Sequence, residues 1–249
     1  MLFSIRRHQD KRPDKFIEGI KNFAPDYDEM LRTSSASEPK RDMPDSEAVS
    51  GMAEKIIALL QAEWPRRILD IGSGAGNIDM MILDLVPVSK IDCVEASPEM
   101  VRVSVSTLGR HLDRAEIIHK DVMDFNPEGS YEAIMSNLAL HSMTMEEKAK
   151  LLGRIHGWLV PSGLFVWGDL IRQEKTEPHR ETYAQRLGHA FRHSPGSAAA
   201  EENPGKETED AQDHPLTMEE TMKLCTEAGF SGAFAAWKRG SFAVFSMRK

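Results

Sequence analysis

Asp70, Gly72, Gly74 and Gly76 stand at alternate positions of this 249-residue chain, and their types and spacing imply chemistry more directly than any other stretch. Alternate glycines let bare backbone approach a ligand, and the first N–H groups of a following helix then face it. Ile68, Leu69 and Ile71 precede the glycines and read as a strand buried on both faces. Ile78, Met80, Met81, Ile82, Leu83, Leu85 and Val86 follow them and read as a helix. A strand passing into a helix through such a turn is a nucleotide-type cofactor site. A dinucleotide fingerprint is Gly-x-Gly-x-x-Gly, which seats a pyrophosphate on the helix N-terminus. Here the third glycine comes one residue sooner, and acidic Asp70 suits a ligand carrying an ammonium group better than a diphosphate.

Further candidates lie where the next strands end. Glu95 closes the run Lys90–Glu95, about twenty residues beyond the turn, where a carboxylate can take both hydroxyls of a ribose. Ser97 and Pro98 then start a helix, as N-cap and first residue. Asp121 follows a third strand, Ala115–His119, with Asp124 as a turn residue behind it. Asn137 and His141 follow a fourth strand, Tyr131–Ser136, beyond the carboxyl end where open α/β sheets bind their ligands.

These stretches share a resemblance. The run from Asp70 to Gly76 resembles motif I of class I S-adenosyl-L-methionine (SAM) dependent methyltransferases, Asp-x-Gly-x-Gly-x-Gly. Val94 to Met100 is similar to the second motif of that family, and Phe23 to Asp28 to the entry segment of its small-molecule members. Ser136 to His141 resembles their Ser-x-x-x-x-His-His loop, with Ser142 in place of the second histidine. Leu159 to Val166 resembles Leu-x-Pro-Gly-Gly-x-Leu, with Ser162 where the first glycine is usual. The likeness spans roughly residues 23–171 and 216–249.

The resemblance implies an α/β fold: a Rossmann-like, seven-stranded, mostly parallel sheet with a C-terminal antiparallel hairpin and helical cap segments. It implies SAM as cofactor, S-adenosyl-L-homocysteine as product and no metal. Cofactor contacts would come from Tyr27, Asp70, Gly72, Ser73, Gly74, Gly76, Glu95, Ala96, Met100, Asp121, Val122 and Asn137. In that pattern Tyr27 closes over the methionine end, Glu95 holds the ribose, Asp121 accepts the adenine amino group and Val122 packs on the ring. Asn137 and His141 would face the methyl being transferred, with His141 as base if a proton must leave. The acceptor would be a small molecule. Two alternatives stay open: an enzyme resembling carboxy-SAM synthases, which modify SAM itself, and a non-catalytic SAM-binding module. A short-chain dehydrogenase is excluded, because Tyr27, Tyr131 and Tyr183 are followed four residues on by Leu31, Met135 and Leu187 rather than lysine.

The elements that must position these residues follow from periodicity. Asp45–Glu63 reads as a helix, as does Glu146–Leu159. Val160–Gly163 reads as a sharp turn into a fifth strand, Leu164–Asp169. Thr217-Met-Glu-Glu220 is a capping box opening a helix that stops at Gly229. Ala233–Lys238 and Ser241–Met247 read as two strands joined at Arg239-Gly240. Residues 1–44 form an expected N-terminal helical cap segment. The remainder, 45–249, is the expected cofactor-binding domain, carrying a lid insertion at 172–215. Within that insertion the basic residues read first as a solvated face, and Arg180, Arg186 or Arg192 would otherwise add a preference for an anionic acceptor.

Composition bounds the rest. A net charge of −8 argues against a broad nucleic-acid-binding face. Cys93 and Cys225 lack metal-ligand spacing and read as buried thiols in a reducing compartment. Met1 to Arg7 begins apolar and turns basic with no apolar stretch behind it, so no signal peptide is expected. A cytoplasmic monomer or homodimer with no membrane partner is the resulting expectation.

Overall fold

The structure, a computed structural model, describes residues 45–86, 90–172 and 213–249. The N-terminal cap segment with Tyr27, and the insertion apart from its two ends, lie outside the described residues. These build seven strands and five α-helices: α1 (Asp45–Glu63), β1 (Arg67–Ile71), α2 (Asn77–Leu85), β2 (Lys90–Glu95), α3 (Pro98–Thr107), β3 (Ala115–His119), β4 (Tyr131–Asn137), α4 (Met145–Trp158), β5 (Leu159–Leu170), α5 (Met218–Glu227), β6 (Ser231–Arg239) and β7 (Phe242–Arg248). Their order in the sheet is β3-β2-β1-β4-β5-β7-β6. β1 to β5 run parallel, and β7 lies antiparallel between β5 and β6. The expected fold class is the one observed.

Alternation along each strand divides the core into two layers. Ile68, Ala133, Met135, Leu164, Val166 and Val244 pack beneath α1 and α2. Leu69, Ile71, Ile134, Phe165, Trp167 and Phe245 pack against Leu151, Leu152 and Ile155 of α4 and Leu224 and Cys225 of α5. Both faces of β1 are therefore closed, as a continuous apolar strand requires. Both cysteines are free and buried.

Caps set the helix starts. The Ser97 side chain accepts from the Met100 amide with Pro98 behind it, and Thr217 and Glu220 form the expected reciprocal box. A second box, Thr144 with Glu147, starts α4 one residue earlier than its apolar pattern alone indicates.

Two boundaries differ from expectation. β5 is paired from Leu159, and residues 160–163 form an excursion within it: Leu159 pairs with Tyr131, whereas Leu164 pairs with Ala133. Ser162 turns the chain there at φ 63. The C-terminal hairpin turns at Gly240-Ser241, one residue later than expected, because Gly240 supplies the left-handed φ of 54 and Arg239 stays paired with Phe242.

Candidate active site

The strand order reverses between β1 and β4, and the glycine turn, Glu95, Asp121, Asn137 and His141 all sit at or beyond the carboxyl ends of neighbouring strands. An open parallel sheet forms its ligand crevice at that point.

Gly72, Gly74 and Gly76 hold φ of 73, 56 and 78, a region costly to any residue with a Cβ. The Gly72 amide donates to Val94 O at 2.9 Å, fastening the turn to β2. A Cβ on Gly72 would lie 2.5 Å from that of Ala139, so the loop after β4 packs directly on the turn. Among the described residues, nothing lies within 4 Å of where a Cβ on Gly74 would be, so on their side the turn is open there. Gly76 caps α2 without a side chain, which leaves the first helical N–H groups to the same space.

Glu95 is buried, and its carboxylate is held by two backbone amides: Gly74 N–H donates to Oε2 at 2.9 Å and Ser97 N–H to Oε1 at 2.7 Å. It thus joins the glycine turn to the start of α3. Ala96 and Met100 beside it are buried. Asp121 accepts from the Met123 amide at 2.8 Å, folding the turn that also holds Asp124, while Val122 is buried in the core. Arg154 on α4, unremarked in the sequence, donates to the carbonyls of Val122, Met123 and Phe125 and fixes this segment.

Among the described residues, several buried polar atoms around the turn are met by no N–H or hydroxyl donor. They are both carboxylate oxygens of Asp70, Ser73 Oγ and Asn137 Oδ1, joined by both oxygens of Asp79 on α2. Leaving such atoms unmatched is costly. Their chemistry suits a ligand that brings its own donors and a cation. SAM, with its ammonium, hydroxyls and adenine amino group, meets that description.

His141 lies in a short turn after β4, and its Nδ1 meets Asp169 Oδ1 of β5 at 2.7 Å. Asp169 also accepts from Trp167 Nε1 at 2.9 Å and from the Leu170 amide at 2.8 Å. Burial alone would discharge the imidazole, but the Asp169 charge and hydrogen bond outweigh it, with Asp213 adding to them, and raise its pKa. Burial also works against the Asp169 charge, yet His141 and the donors from Trp167 and Leu170 hold its pKa below the usual carboxylate range. Asp213, at the C-terminal end of the insertion, lies 3.9 Å from His141 Nε2. Lys148, lowered to about 8 by burial, donates to the carbonyls of Met143 and His214. The His214 amide donates to the His141 carbonyl at 2.8 Å.

The structure therefore brings together the glycine turn, Glu95, Asn137 and His141 along one sheet edge, with Asp121 after the neighbouring β3. The sequence pointed to none of Asp79, Lys148, Arg154, Asp169 and Asp213. The one available sign was a charged residue on an otherwise apolar helix face or strand, as at Asp79 and Asp169. Among the described residues there is no cluster of His, Cys, Asp or Glu placed to hold a metal ion, and no helix long and apolar enough to cross a membrane.

Comparison with known proteins agrees with this geometry. Residues 68–163 match the family described as "Methyltransferase domain". Trans-aconitate 2-methyltransferase of Rhodococcus jostii is 30% identical over 112 residues, covering 45% of this chain and 41% of that protein. Carboxy-S-adenosyl-L-methionine synthase of Campylobacter fetus is 22% identical over 182 residues, covering 72% and 75%. A crystal structure of a putative O-methyltransferase from Nostoc punctiforme superposes with a TM-score of 0.64 at 17% identity, covering 100% of this chain and 76% of that one. The chain spans less than half the length of the first curated relatives it matches. The glycine turn and the next three strands thus lie in a stretch that matches a methyltransferase domain, within a fold similar to that of a solved methyltransferase.

Proposed function

We propose that this protein transfers a methyl group from SAM to a small-molecule acceptor. The observation that carries this reading is the glycine turn. Three left-handed glycines end β1, and the turn is tied to β2 through Val94 and Glu95. Among the described residues it is open at Gly74, and buried polar atoms met by no N–H or hydroxyl donor surround it. Gly72 to Gly76 would pass the methionine end, Asp70 would face its ammonium, Glu95 would take the ribose and Asp121 the adenine. When bound, SAM supplies an electrophilic methyl group on a sulfonium. The protein's part is alignment and exclusion of water, and Asn137 at the end of β4 would orient the acceptor.

A carboxylate is the favoured acceptor class. His141 holds its proton more firmly than a free imidazole, so an acceptor already ionised at neutral pH suits the site. The Rhodococcus jostii relative is named for trans-aconitate, itself a carboxylate. The Asp169–His141 bond favours a second reading. A carboxylate that orients an imidazole through Nδ1 leaves Nε2 as a base, and a hydroxyl acceptor would need one.

Calorimetry with SAM and S-adenosylhomocysteine, followed by transfer of labelled methyl to small carboxylic acids, phenols and amines, tests the reading. Binding together with label on an acceptor is the expected result, and absence of binding overturns it. Conversion of SAM to a heavier derivative would indicate the carboxy-SAM synthase alternative; binding with no chemistry on any acceptor would indicate a SAM-binding module. His141→Gln separates the acceptor classes: it should slow transfer to a hydroxyl by about a hundredfold or more, and leave transfer to a carboxylate nearly intact.

A further inference from the structure

Two carboxyl groups are buried together behind the glycine turn. Alternation along β1 sends Asp70 to the same face as Ile68, the layer covered by α1 and α2. Asp79 stands on the inner face of α2 between Ile78 and Ile82. Cys93, opposite Asp70 in the β1–β2 register, completes the group. Asp70 is 1% exposed and Asp79 0%, and no well-formed hydrogen bond reaches any of their four oxygens. The surroundings are apolar, and the other titratable groups acting on the pair are Cys93 and Glu95 of β2, with Asp92 bearing on Cys93. Among the described residues no lysine or arginine acts on them.

Two adjacent carboxylates without a counter-cation cannot both stay ionised in such a place. They can bond one another only if one carries a proton. Burial raises the pKa of Asp70 first, followed by the charge of Asp79, its hydrogen bond and the charge of Glu95, against a small opposing contribution from the Ile71 amide. Burial raises that of Asp79 as well. The ligand-free pair therefore shares a proton at neutral pH.

We propose that Asp79 is a positioning residue that acts through Asp70: it keeps Asp70 protonated in the ligand-free protein, and a ligand bringing an ammonium group to the glycine turn expels that proton to solvent. The step is an ionisation, carboxylic acid to carboxylate plus a released proton, with the ammonium keeping its own. This rests on the cofactor reading above and adds to it that binding of the amino-acid end of the ligand is proton-coupled. Asp79 is thereby assigned a role in tuning affinity to pH, exerted through Asp70.

The test is calorimetry of the whole protein with S-adenosylhomocysteine and with 5′-methylthioadenosine, which lacks the amino-acid end. Each is titrated near neutral pH in two buffers of different ionisation enthalpy. Below about pH 7 the ligand's amino group remains charged and does not contribute. Wild-type protein should release close to one proton with S-adenosylhomocysteine and none with methylthioadenosine. Affinity for the former should rise with pH, approaching about tenfold per unit for one linked proton. In Asp79→Asn the amide can donate to Asp70, so the carboxylate is ionised beforehand. Proton release should vanish, the pH dependence flatten, and binding near pH 6 become tighter than in wild type. Wild-type binding without proton release overturns the proposal, as does unchanged release in Asp79→Asn. If that variant fails to fold, the two-buffer experiment on wild type decides alone. Failure of both ligands to bind at any pH would instead overturn the cofactor reading, and the proposal with it.

Discussion

Asp169 Oδ1 meets Nδ1 of His141 at 2.7 Å, joining the strand that precedes the insertion to the turn after β4. The chain returning from the insertion reaches the same place, with Asp213 beside Nε2 and the His214 amide on the His141 carbonyl. A folded-state pKa above the unfolded one means that the native protein holds the proton more tightly. His141 therefore stabilises the fold fully below its unfolded value of about 6.5, and that contribution is lost as pH rises through the folded value. Asp169→Asn should pull the His141 pKa down, since burial then meets less opposition, and NMR titration of the imidazole checks this. Breaking a buried pair typically costs about 3–5 kcal/mol, and urea unfolding near pH 6 should show a loss of that order. An imidazole pKa unmoved by Asp169→Asn would refute the pairing.

Gly72 and Gly74 should respond differently to substitution. Both are left-handed, a conformation that costs a residue with a Cβ about 1–2 kcal/mol. Gly72→Ala adds a collision with Ala139 and should destabilise the fold by more than that figure. Gly74→Val meets none of the described residues, so the protein should stay folded with only the conformational loss while binding of SAM disappears. Unfolding curves and calorimetry on the two variants give both answers. Undiminished binding by Gly74→Val would remove the glycine turn from the cofactor site.

Glu95→Ala frees the amides of Gly74 and Ser97 and removes the carboxylate proposed to hold the ribose. Hydrogen bonds to charged groups are worth about 1.5–3 kcal/mol, so affinity for SAM should fall roughly ten- to a hundredfold. If the folded variant binds as wild type does, the ribose is held elsewhere.

Ser162 carries φ 63 at an exposed turn within β5. Replacing it by glycine relieves a left-handed conformation that costs about 1–2 kcal/mol, offset in part by the greater freedom of an unfolded glycine. Ser162→Gly should raise the thermal midpoint slightly and leave cofactor binding unchanged. A lower midpoint would show that the serine side chain contributes more than its backbone costs.

Much of this architecture is legible in the sequence because it rests on local rules. Ile68 to Ile71 and Tyr131 to Asn137 are unbroken enough to be interior strands, and Ser97-Pro98 and Thr217-x-x-Glu220 mark helix starts within four residues. The excursion at 160–163 escaped because a bulge is defined by the partner strand, here Tyr131 and Ala133 of β4. His141 and Asp169 lie 28 positions apart, and Arg154 reaches Val122 and Met123 across 32 and 31. Spacing cannot reveal such pairs, which exist only once the sheet places β4 beside β5 and α4 over it. Asp79 is the case between these extremes. Its charge interrupts an apolar helix face in plain view, but its partner is identifiable only after alternation along β1 is fixed.

The place of β7 in the sheet bears on how this protein is made. β5 has β4 on one side and waits for β7 on the other, and β7 is synthesised only after residues 171–241 have emerged. At about 5–20 residues per second, the nascent protein carries the bare outer edge of β5, with Phe165 and Trp167 on it, for several seconds. Unpaired strand edges of that kind invite pairing with other chains. The half of the sheet holding the glycine turn needs none of β7 and can assemble first on the ribosome, leaving the β5 edge as the point where a chaperone would act and where yield would be lost during overexpression.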